Sequence, residues 1–383
     1  MRVLALDGGS SSLKFALYAV AGDAFSPTLS GEASGFGQPP GHLRVATPEI
    51  VLIDEAVAAE WNAAIALERV LGIVREREAD LSAVGHRIVF GGPNHVEPVL
   101  ATPEVLRGIE GFVALEPLHL RVELDAVYAM QRHFPGVPQI LCFDTAFHRR
   151  MPDVAKRLPL PRNLDPALQR YGFHGLSYEY VLWRVAQASC GRVVIAHLGN
   201  GASLCALKDG LPMDTTMGFS ALGGLMMGTR PGDMDPGVLL YLLGAGGYRA
   251  ADLADLLNYH CGLLGVSGSS ASMEALLAAA PSDASAREAV ELFVYQLVKH
   301  LGAMIAYLGG LDALVFTGGI GERAASIRSK ACEALGYAGV RLDDAANAAS
   351  APIVSRGESR VGVHVVPADE TLVIARHAFA RRE

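Results

Sequence analysis

The sequence predicts an α/β protein with two domains, each containing a mixed β-sheet covered by helices. Apolar strands alternate with amphipathic helical segments along the chain. A strand–glycine turn–strand unit at 3–18, VLALDGGSSSLKFALY, recurs at 193–210 as VVIAHLGNGASLCALKDG. A chain of 383 residues is also longer than one ordinary core requires. These observations predict two domains built on one plan and facing each other across a cleft.

The first half of the chain contains regularly spaced candidate elements. Short apolar runs bounded by glycine or proline predict strands, and apolar residues at intervals of three and four predict helices. The predicted strands lie at 2–7, 13–20, in the AVGHRIVF segment and at 139–144, and the predicted helices lie at 54–79, 102–114 and 120–134.

A proline- and arginine-rich stretch at 149–163, RRMPDVAKRLPLPRN, interrupts this rhythm and is the candidate domain boundary. The repeated unit follows it, and a third strand with a glycine-rich exit, ALVFTGGIGE, lies at 313–322. We therefore predict domains at 1–148 and 149–371.

Composition excludes several functional classes. A net charge of −8 without a basic block argues against a nucleic-acid partner. Five cysteines without a C-x-x-C pair predict neither disulfides nor a zinc site, which favours the cytoplasm. The N-terminus has no signal-peptide pattern, and the apolar stretch 301–316 is broken by Gly309, Gly310 and Asp312. A buried helix and a strand are expected there, and no membrane span.

Three glycine-rich turns follow apolar strands: DGGSSSLK, GNGAS and GGIGE. Backbone N–H groups can surround phosphates only where bulky Cβ atoms are absent. One such turn alone is as consistent with a tight hairpin, but three of them, two of which are copies, favour phosphate binding. None matches the P-loop or dinucleotide-binding pattern.

Charged residues stand where strands or loops end. Arg87 follows His86 in a strand that ends at Gly91 and Gly92, and Arg230 lies in the irregular LMMGTRPGDMDPG segment. Three more candidates, His119, Asp144 and His174, follow short apolar runs. Taken singly, each could be a surface ion pair or a satisfied core histidine. Together they supply the cations and carboxylates that phosphoryl transfer requires.

The motifs taken in order resemble the acetate kinase family. They are GHRIVFGG, PLH, FDTAFH, RYGFHGLSYEYV, HLGNGAS, DTTMGFSALGGLMMGTRPGDMDPG, GLLGVSGS, FTGGIGER and ADETLVIARHA, and the resemblance covers residues 2 to about 378. It implies the two-domain actin-like ATPase fold, a duplicated ribonuclease H-like fold, with a C-terminal helix at about 372–383 completing the first domain. It also implies a homodimer that phosphorylates acetate reversibly with ATP, giving acetyl phosphate and ADP by in-line transfer with Mg²⁺ or Mn²⁺.

The resemblance implies roles for individual residues. The catalytic set is Asp144, Arg87, His174, Arg230 and His119, and the substrate-binding set is Arg87, Val89, Leu118 and Phe173. The nucleotide- and phosphate-binding set is Ser10, Ser12, Lys14, His197, Asn200, Gly201, Gly228, Ser272, Gly319 and Gly321. Glu370 is expected to bind the metal.

The sequence departs from the family pattern at several positions. Asp7 stands where the family usually has Asn, and because hard divalent ions favour carboxylate oxygens, we predict it as a second metal residue. Ser272 and Glu274 replace an Asp and an Arg that contribute to adenosine binding, which raises relaxed donor use, including pyrophosphate, as an alternative. Ala221 replaces a pocket proline, so propionate or butyrate are alternative substrates.

Three further departures have no explanation in the sequence alone: Phe90 and Tyr178 replace family histidines, and Gly223 replaces a Glu. An alternative function is that of a non-catalytic actin-like nucleotide-binding protein. Such a protein would not require the arginines, the histidines or Asp144, and their presence argues against this alternative.

Overall fold

The computed structural model describes residues 1–9, 12–36, 40–57, 60–77, 80–113, 115–116, 119–185 and 191–382. Two of the predicted site residues, Ser10 and Leu118, lie outside the described residues. The chain divides into two compact units. Unit 1 comprises Met1–Arg149 and Asp369–Glu383, and unit 2 comprises Arg150–Ala368.

Unit 1 contains an eight-stranded mixed sheet in the order β5-β4-β3-β2-β1-β6-β8-β7. The strands are β1 (Arg2–Gly8), β2 (Ser12–Ala21), β3 (Ala24–Ser34), β4 (Gly41–Ala46), β5 (Val51–Val57), β6 (Ala83–Ile88), β7 (Val99–Leu100) and β8 (Gln139–Phe143). The predicted helix at 54–79 is therefore wrong in its first part, where β5 reaches Val57.

Among the described residues, four α-helices belong to unit 1: α1 (Ala63–Arg77), α2 (Pro103–Glu110), α3 (Leu120–His133) and, at the end of the chain, α14 (Glu370–Ala380). The last helix packs on β1 and β6. A Cβ atom added at Gly85 would lie 2.5 Å from Ile374 Cγ2, so only glycine in β6 allows this close approach. That packing brings Glu370, the first residue of α14, into unit 1.

Unit 2 contains a five-stranded mixed sheet in the order β11-β10-β9-β12-β13. Its strands are β9 (Arg192–Leu198), β10 (Ala202–Lys208), β11 (Leu211–Thr215), β12 (Ala313–Thr317) and β13 (Gly362–Val365). Its helices are α4 (Asp153–Lys156), α5 (Gly175–Arg184), α6 (Pro236–Leu243), α7 (Ala250–Asp255), α8 (Gly262–Ser267), α9 (Met273–Ala279), α10 (Ala284–Leu308), α11 (Gly318–Arg323), α12 (Ala325–Ala334) and α13 (Asp344–Ala348).

The two sheets repeat one connection pattern. In unit 1, β1 pairs antiparallel with β2 and parallel with β6, which pairs parallel with β8. In unit 2, β9 pairs antiparallel with β10 and parallel with β12, which pairs parallel with β13. This duplication is the architecture that the repeated strand–turn–strand unit predicts, and it fits the two-domain actin-like fold.

Helix α10 is the one helix among the described residues that is long and apolar enough to cross a membrane by length and composition. Of its most apolar window, 39% is buried inside the protein, and the helix packs on α8, α9 and β10. Core helices of proteins that never enter a membrane satisfy the same criterion.

Candidate active site

Arg87 lies near the end of β6 and is the centre of a polar cluster in unit 1. Its Nε and Nη2 atoms donate to Asp144 Oδ2 over 3.0 and 2.6 Å. Its Nη1 atom donates to the Gly8 carbonyl oxygen over 2.8 Å and to Glu123 Oε1 over 3.2 Å. Asp7 Oδ1 lies 3.6 Å from Nε. These contacts fix the guanidinium group at the turn between β1 and β2.

Carboxylates outnumber cations around Arg87. Burial raises the pKa of Glu370 to about 8, and repulsion from Asp7 and Asp144 adds to the effect. Burial also raises the pKa of Asp144, against the lowering effect of Arg87. Burial by itself lowers the pKa of Arg87, but the attraction of Asp144 and the other carboxylates keeps it well above its ordinary value. The cluster therefore has an excess of negative charge, which a further cation would stabilise.

Glu123 is a member of this cluster that the sequence analysis missed. It lies on the buried face of α3, and burial raises its pKa to about 8 although Arg87 and a backbone N–H group oppose the shift. That N–H group belongs to Val89 and donates to Glu123 Oε2 over 2.8 Å. The available signal was a charged residue within the helical apolar pattern of α3.

Three other predicted residues of unit 1, Ser12, Lys14 and His119, also lie within the described residues. Lys14 stands opposite Asp7 in the β1–β2 hairpin and attracts Glu370, and Ser12 is the first residue of β2. His119 precedes α3, and its charge lowers the pKa of Asp144. His119 Nδ1 also lies 3.7 Å from Glu116 Oε2.

Within the described residues, no three His, Cys, Asp or Glu side chains form a cluster that could hold a metal ion by themselves. Magnesium, however, commonly binds through one or two carboxylates together with water and substrate phosphates. Asp144 Oδ1 is buried and accepts no hydrogen bond from the described residues, and Glu370 is held among like charges. These carboxylate oxygens, whose negative charge neighbouring groups balance only in part, fit a hard divalent cation.

His174 immediately precedes α5 in unit 2 and adopts the left-handed conformation, with φ of 59°. Its Nδ1 atom lies 2.8 Å from Ser203 Oγ, and its ring stacks on His197 with 4.2 Å between the ring centroids. His197 Nδ1 in turn lies 2.8 Å from Ser177 Oγ. Each imidazole is thus oriented by a serine hydroxyl at Nδ1. Phe173, which precedes His174, is buried.

His174 and Arg230 meet at Gly201. A Cβ atom added at Gly201 would lie 3.1 Å from His174 Nε2 and 2.8 Å from Arg230 Nη2. Arg230 is anchored by a 2.8 Å hydrogen bond from Nη1 to the Ala221 carbonyl oxygen. An imidazole nitrogen and a guanidinium group therefore converge on backbone that only glycine leaves open.

The glycine turns of unit 2 lie side by side. Gly318 adopts φ of 74°, and a Cβ atom there would lie 2.7 Å from the Leu198 carbonyl oxygen. The predicted residue Gly319 follows it, and its N atom would lie 3.9 Å from a Cβ atom added at Gly199. Gly321 is buried in the first turn of α11. The GNGAS turn therefore lies against the start of α11, where the Gly319 N–H group is close to Gly199, a geometry suited to phosphate oxygens.

Asn200 and Gly228 connect this region to a neighbouring loop. Gly228 N donates to the Asn200 carbonyl oxygen over 3.0 Å, and a side chain at Gly228 would meet Asn200 Oδ1 and the Ala271 carbonyl oxygen. Ser272 is exposed and caps α9, accepting a hydrogen bond from Ala275 N over 3.4 Å.

Comparisons with known proteins agree across the whole chain. The model of the acetokinase family matches residues 2–376. A curated acetate kinase of Rhodopseudomonas palustris is 45% identical over 400 residues, covering 98% of this chain and 97% of the relative. The crystal structure of Porphyromonas gingivalis acetate kinase is 35% identical with a TM-score of 0.85 and covers 100% of both chains. A propionate kinase structure from Francisella tularensis is 32% identical with a TM-score of 0.90 and covers 99% of both chains.

Proposed function

This chain belongs to the acetokinase family, and we infer from that membership that it transfers a phosphoryl group reversibly between ATP and acetate, giving acetyl phosphate and ADP. The observation that carries the inference is the family match over residues 2–376, which leaves almost no part of the chain unassigned. The enzyme class is phosphotransferase with a carboxyl group as acceptor, and ATP is its co-substrate.

We assign the stabilisation of the transferring phosphoryl group in unit 2 to His174 and Arg230. The convergence of His174 Nε2 and Arg230 Nη2 on Gly201 supports this role, because a guanidinium group donates N–H bonds and a protonated imidazole Nε2 can do the same. The adjacent turns containing Asn200, Gly201 and Gly319 are suited to the nucleotide phosphates.

In unit 1, Arg87 is assigned to the substrate carboxylate and the transferring phosphoryl group, held by Asp144 and Glu123. Acetate is already ionised at neutral pH, so no general base is needed to activate it. Catalysis then consists of placing the carboxylate oxygen in line with the leaving group and neutralising charge on the phosphoryl oxygens.

We propose that Asp7 and Glu370 bind Mg²⁺ together with the nucleotide. When bound, the ion would neutralise phosphate charge. The proposal is supported by the raised pKa of Glu370, which burial and then repulsion from Asp7 and Asp144 cause, because such carboxylates gain free energy from a nearby cation. Thermal stabilisation by Mg²⁺ in the presence of ADP, compared with ADP alone, tests it independently of turnover.

A second acceptor, propionate, is favoured by one specific observation. Ala221 is buried, and its carbonyl oxygen anchors Arg230, so its short side chain stands beside a proposed active-site loop. One extra methylene is discriminated only weakly, by roughly 10- to 200-fold. Rates with acetate, propionate and butyrate should therefore be compared in the wild type and in Ala221→Pro, which we expect to shift preference towards acetate.

Relaxed donor use is the competing proposal for the nucleotide site. Ser272 caps α9, and Glu274 is exposed in its first turn, so neither supplies the Asp or Arg contact that the family pattern provides. Parallel assays with ATP, GTP and pyrophosphate separate the two proposals. Strong ATP preference would end the idea of relaxed donor use.

We propose that the protein forms a homodimer through α6. This helix buries none of its residues in unit 2, although its sequence is PGVLLYLL. Leu240 is 71% exposed and Tyr241 is 65% exposed, and an apolar helix face of this kind gains free energy when a second copy covers it. Light scattering should show a dimer that Leu240→Asp converts to a monomer, and a dimer that survives this substitution would contradict the proposal.

Cys205, Cys261 and Cys332 form no disulfide in the described part of the chain, which supports a proposed cytoplasmic location. The activity itself is tested by incubating the purified protein with ATP, Mg²⁺ and acetate and trapping acetyl phosphate as the hydroxamate. Binding of nucleotide without hydroxamate formation would instead favour a non-catalytic nucleotide-binding protein.

A further inference from the structure

A buried chain of polar groups leads from α5 to the imidazole of His174. The Tyr178 hydroxyl lies 2.5 Å from Ser203 Oγ, which lies 2.8 Å from His174 Nδ1. Tyr178 and Ser203 are both fully buried. All three residues belong to unit 2.

Local structure brings these groups together. Tyr178 follows His174 by one helical turn, and its backbone N–H group donates to the His174 carbonyl oxygen over 3.0 Å. Ser203 lies in β10 directly opposite His197 of β9. Because His197 also stacks on His174, the serine hydroxyl and the second ring hold the His174 imidazole from two directions.

We propose that Tyr178 is a positioning residue that sets the tautomer of His174 through Ser203. The Tyr178 hydroxyl donates to Ser203 Oγ, and the Ser203 hydroxyl donates to His174 Nδ1. The ring proton of the neutral imidazole then resides on Nε2, the atom that faces Gly201 opposite Arg230. The proposal rests on the proposed function, because it assigns that Nε2–H group to a phosphoryl oxygen of the substrate.

The direction of these two hydrogen bonds matters for the reaction. If Nδ1 carried the proton, it would donate to Ser203, and Nε2 would present a lone pair to an anionic oxygen, which is repulsive. The proposal gives a role to Tyr178, where the family pattern has a histidine. By donating to Ser203 Oγ, the Tyr178 hydroxyl directs the Ser203 hydroxyl proton towards His174 Nδ1.

The experiment compares Tyr178→Phe, which removes one buried oxygen, with Tyr180→Phe, which removes a hydroxyl from the same helix outside the chain of contacts. The protein is labelled with ¹⁵N-histidine, and the His174 signals among its 12 histidines are assigned by their loss in His174→Gln. The ¹⁵N shifts report which ring nitrogen carries the proton. Steady-state kinetics are measured on the same samples.

In the wild type we expect His174 protonated on Nε2. Tyr178→Phe should populate the Nδ1–H form and lower kcat about 10- to 100-fold, less than the roughly 10⁴-fold loss seen when a catalytic histidine is held wholly in the wrong tautomer. The KM values should change little, and Tyr180→Phe should match the wild type. Ser203→Ala, which removes both contacts, should lower kcat further and is the second variant if Tyr178→Phe does not fold.

The proposal is overturned if wild-type His174 carries its proton on Nδ1, or if a folded Tyr178→Phe keeps both the tautomer and kcat of the wild type. Failure of the proposed function looks different, because the wild type would then form no acetyl hydroxamate, whereas the ¹⁵N shifts would still report the tautomer.

Discussion

Replacing Glu123 by Gln should change how the stability of unit 1 depends on pH. The side chain is 1% exposed, and its two oxygens accept hydrogen bonds from Arg87 and from Val89 N. Burial nevertheless raises its pKa from an ordinary value of 4.5 to about 8. The amide has nearly the same shape but carries no titrating proton, so the substitution isolates the contribution of that proton.

The sign and size of the effect follow from the two pKa values of Glu123. Between its ordinary pKa of 4.5 and its folded pKa of about 8, the folded protein holds a proton that the unfolded chain has released. The stability contributed by Glu123 is therefore complete below 4.5 and is lost as pH rises towards 8. The loss should be roughly 3 kcal/mol from about pH 5.5 to about pH 7.5. The stability advantage of the wild type over Glu123→Gln should shrink by that amount.

Urea unfolding followed by tryptophan fluorescence can isolate unit 1. Trp61 belongs to unit 1 and is 5% exposed, whereas Trp183 belongs to unit 2 and is 46% exposed. A Trp183→Phe background therefore leaves a single buried reporter. Glu76→Gln is the matched control, because it removes the same charge from an exposed position of α1, where water solvates the carboxylate in both states.

The reasoning is refuted if the stability difference between the wild type and Glu123→Gln stays constant or grows as pH rises. Such a result would mean that the hydrogen bonds from Arg87 and Val89 outweigh burial and keep Glu123 ionised throughout the range.

Three further predictions concern the proposed active site. Arg87→Ala and Arg230→Ala should each lower turnover roughly 10³-fold or more in steady-state assays, and near-normal turnover would remove that residue from the catalytic set. Gly201→Ala should abolish most activity because its Cβ atom would meet Arg230, whereas Gly218→Ala, where nothing lies within 4 Å, should retain activity. Asp7→Asn should weaken stabilisation by Mg²⁺ in thermal melts, and unchanged stabilisation would exclude Asp7 as a ligand.

The duplicated core was predictable because each copy is a local pattern. An apolar strand, a glycine turn and a second strand occur within about 20 residues in both units, and the structure forms both hairpins in register. The edge strand β5 of the first sheet was harder to predict from the sequence. Strand β5 alternates between half-buried and exposed residues and has no fully buried position, so its apolar residues could also be assigned to the helical pattern that begins at Ala63.

Candidate site residues at strand ends were predictable for a similar reason. Arg87 and Asp144 stand at or just after the ends of neighbouring parallel strands, which meet at one edge of a sheet. The residues that orient them were not predictable. Glu123 reaches Arg87 across 36 positions of sequence, and Tyr178 reaches Ser203 across 25. Such contacts depend on how α3 and α5 pack on their sheets, which a single sequence does not encode as a local pattern.

Charge balance connects the departures from the family pattern with the chemistry. Around Arg87, the carboxylates of Asp7, Glu123, Asp144 and Glu370 interact with one guanidinium group, and the ammonium group of Lys14 also attracts Glu370. An asparagine at position 7 would lower this negative charge by one. Asp7 therefore makes the binding of a cation at this cluster more favourable. Repulsion among buried carboxylates is reduced either when they keep protons or when they bind a divalent ion. Mg²⁺ binding to this protein should therefore release protons at neutral pH, and calorimetry in buffers of different ionisation enthalpy would detect them.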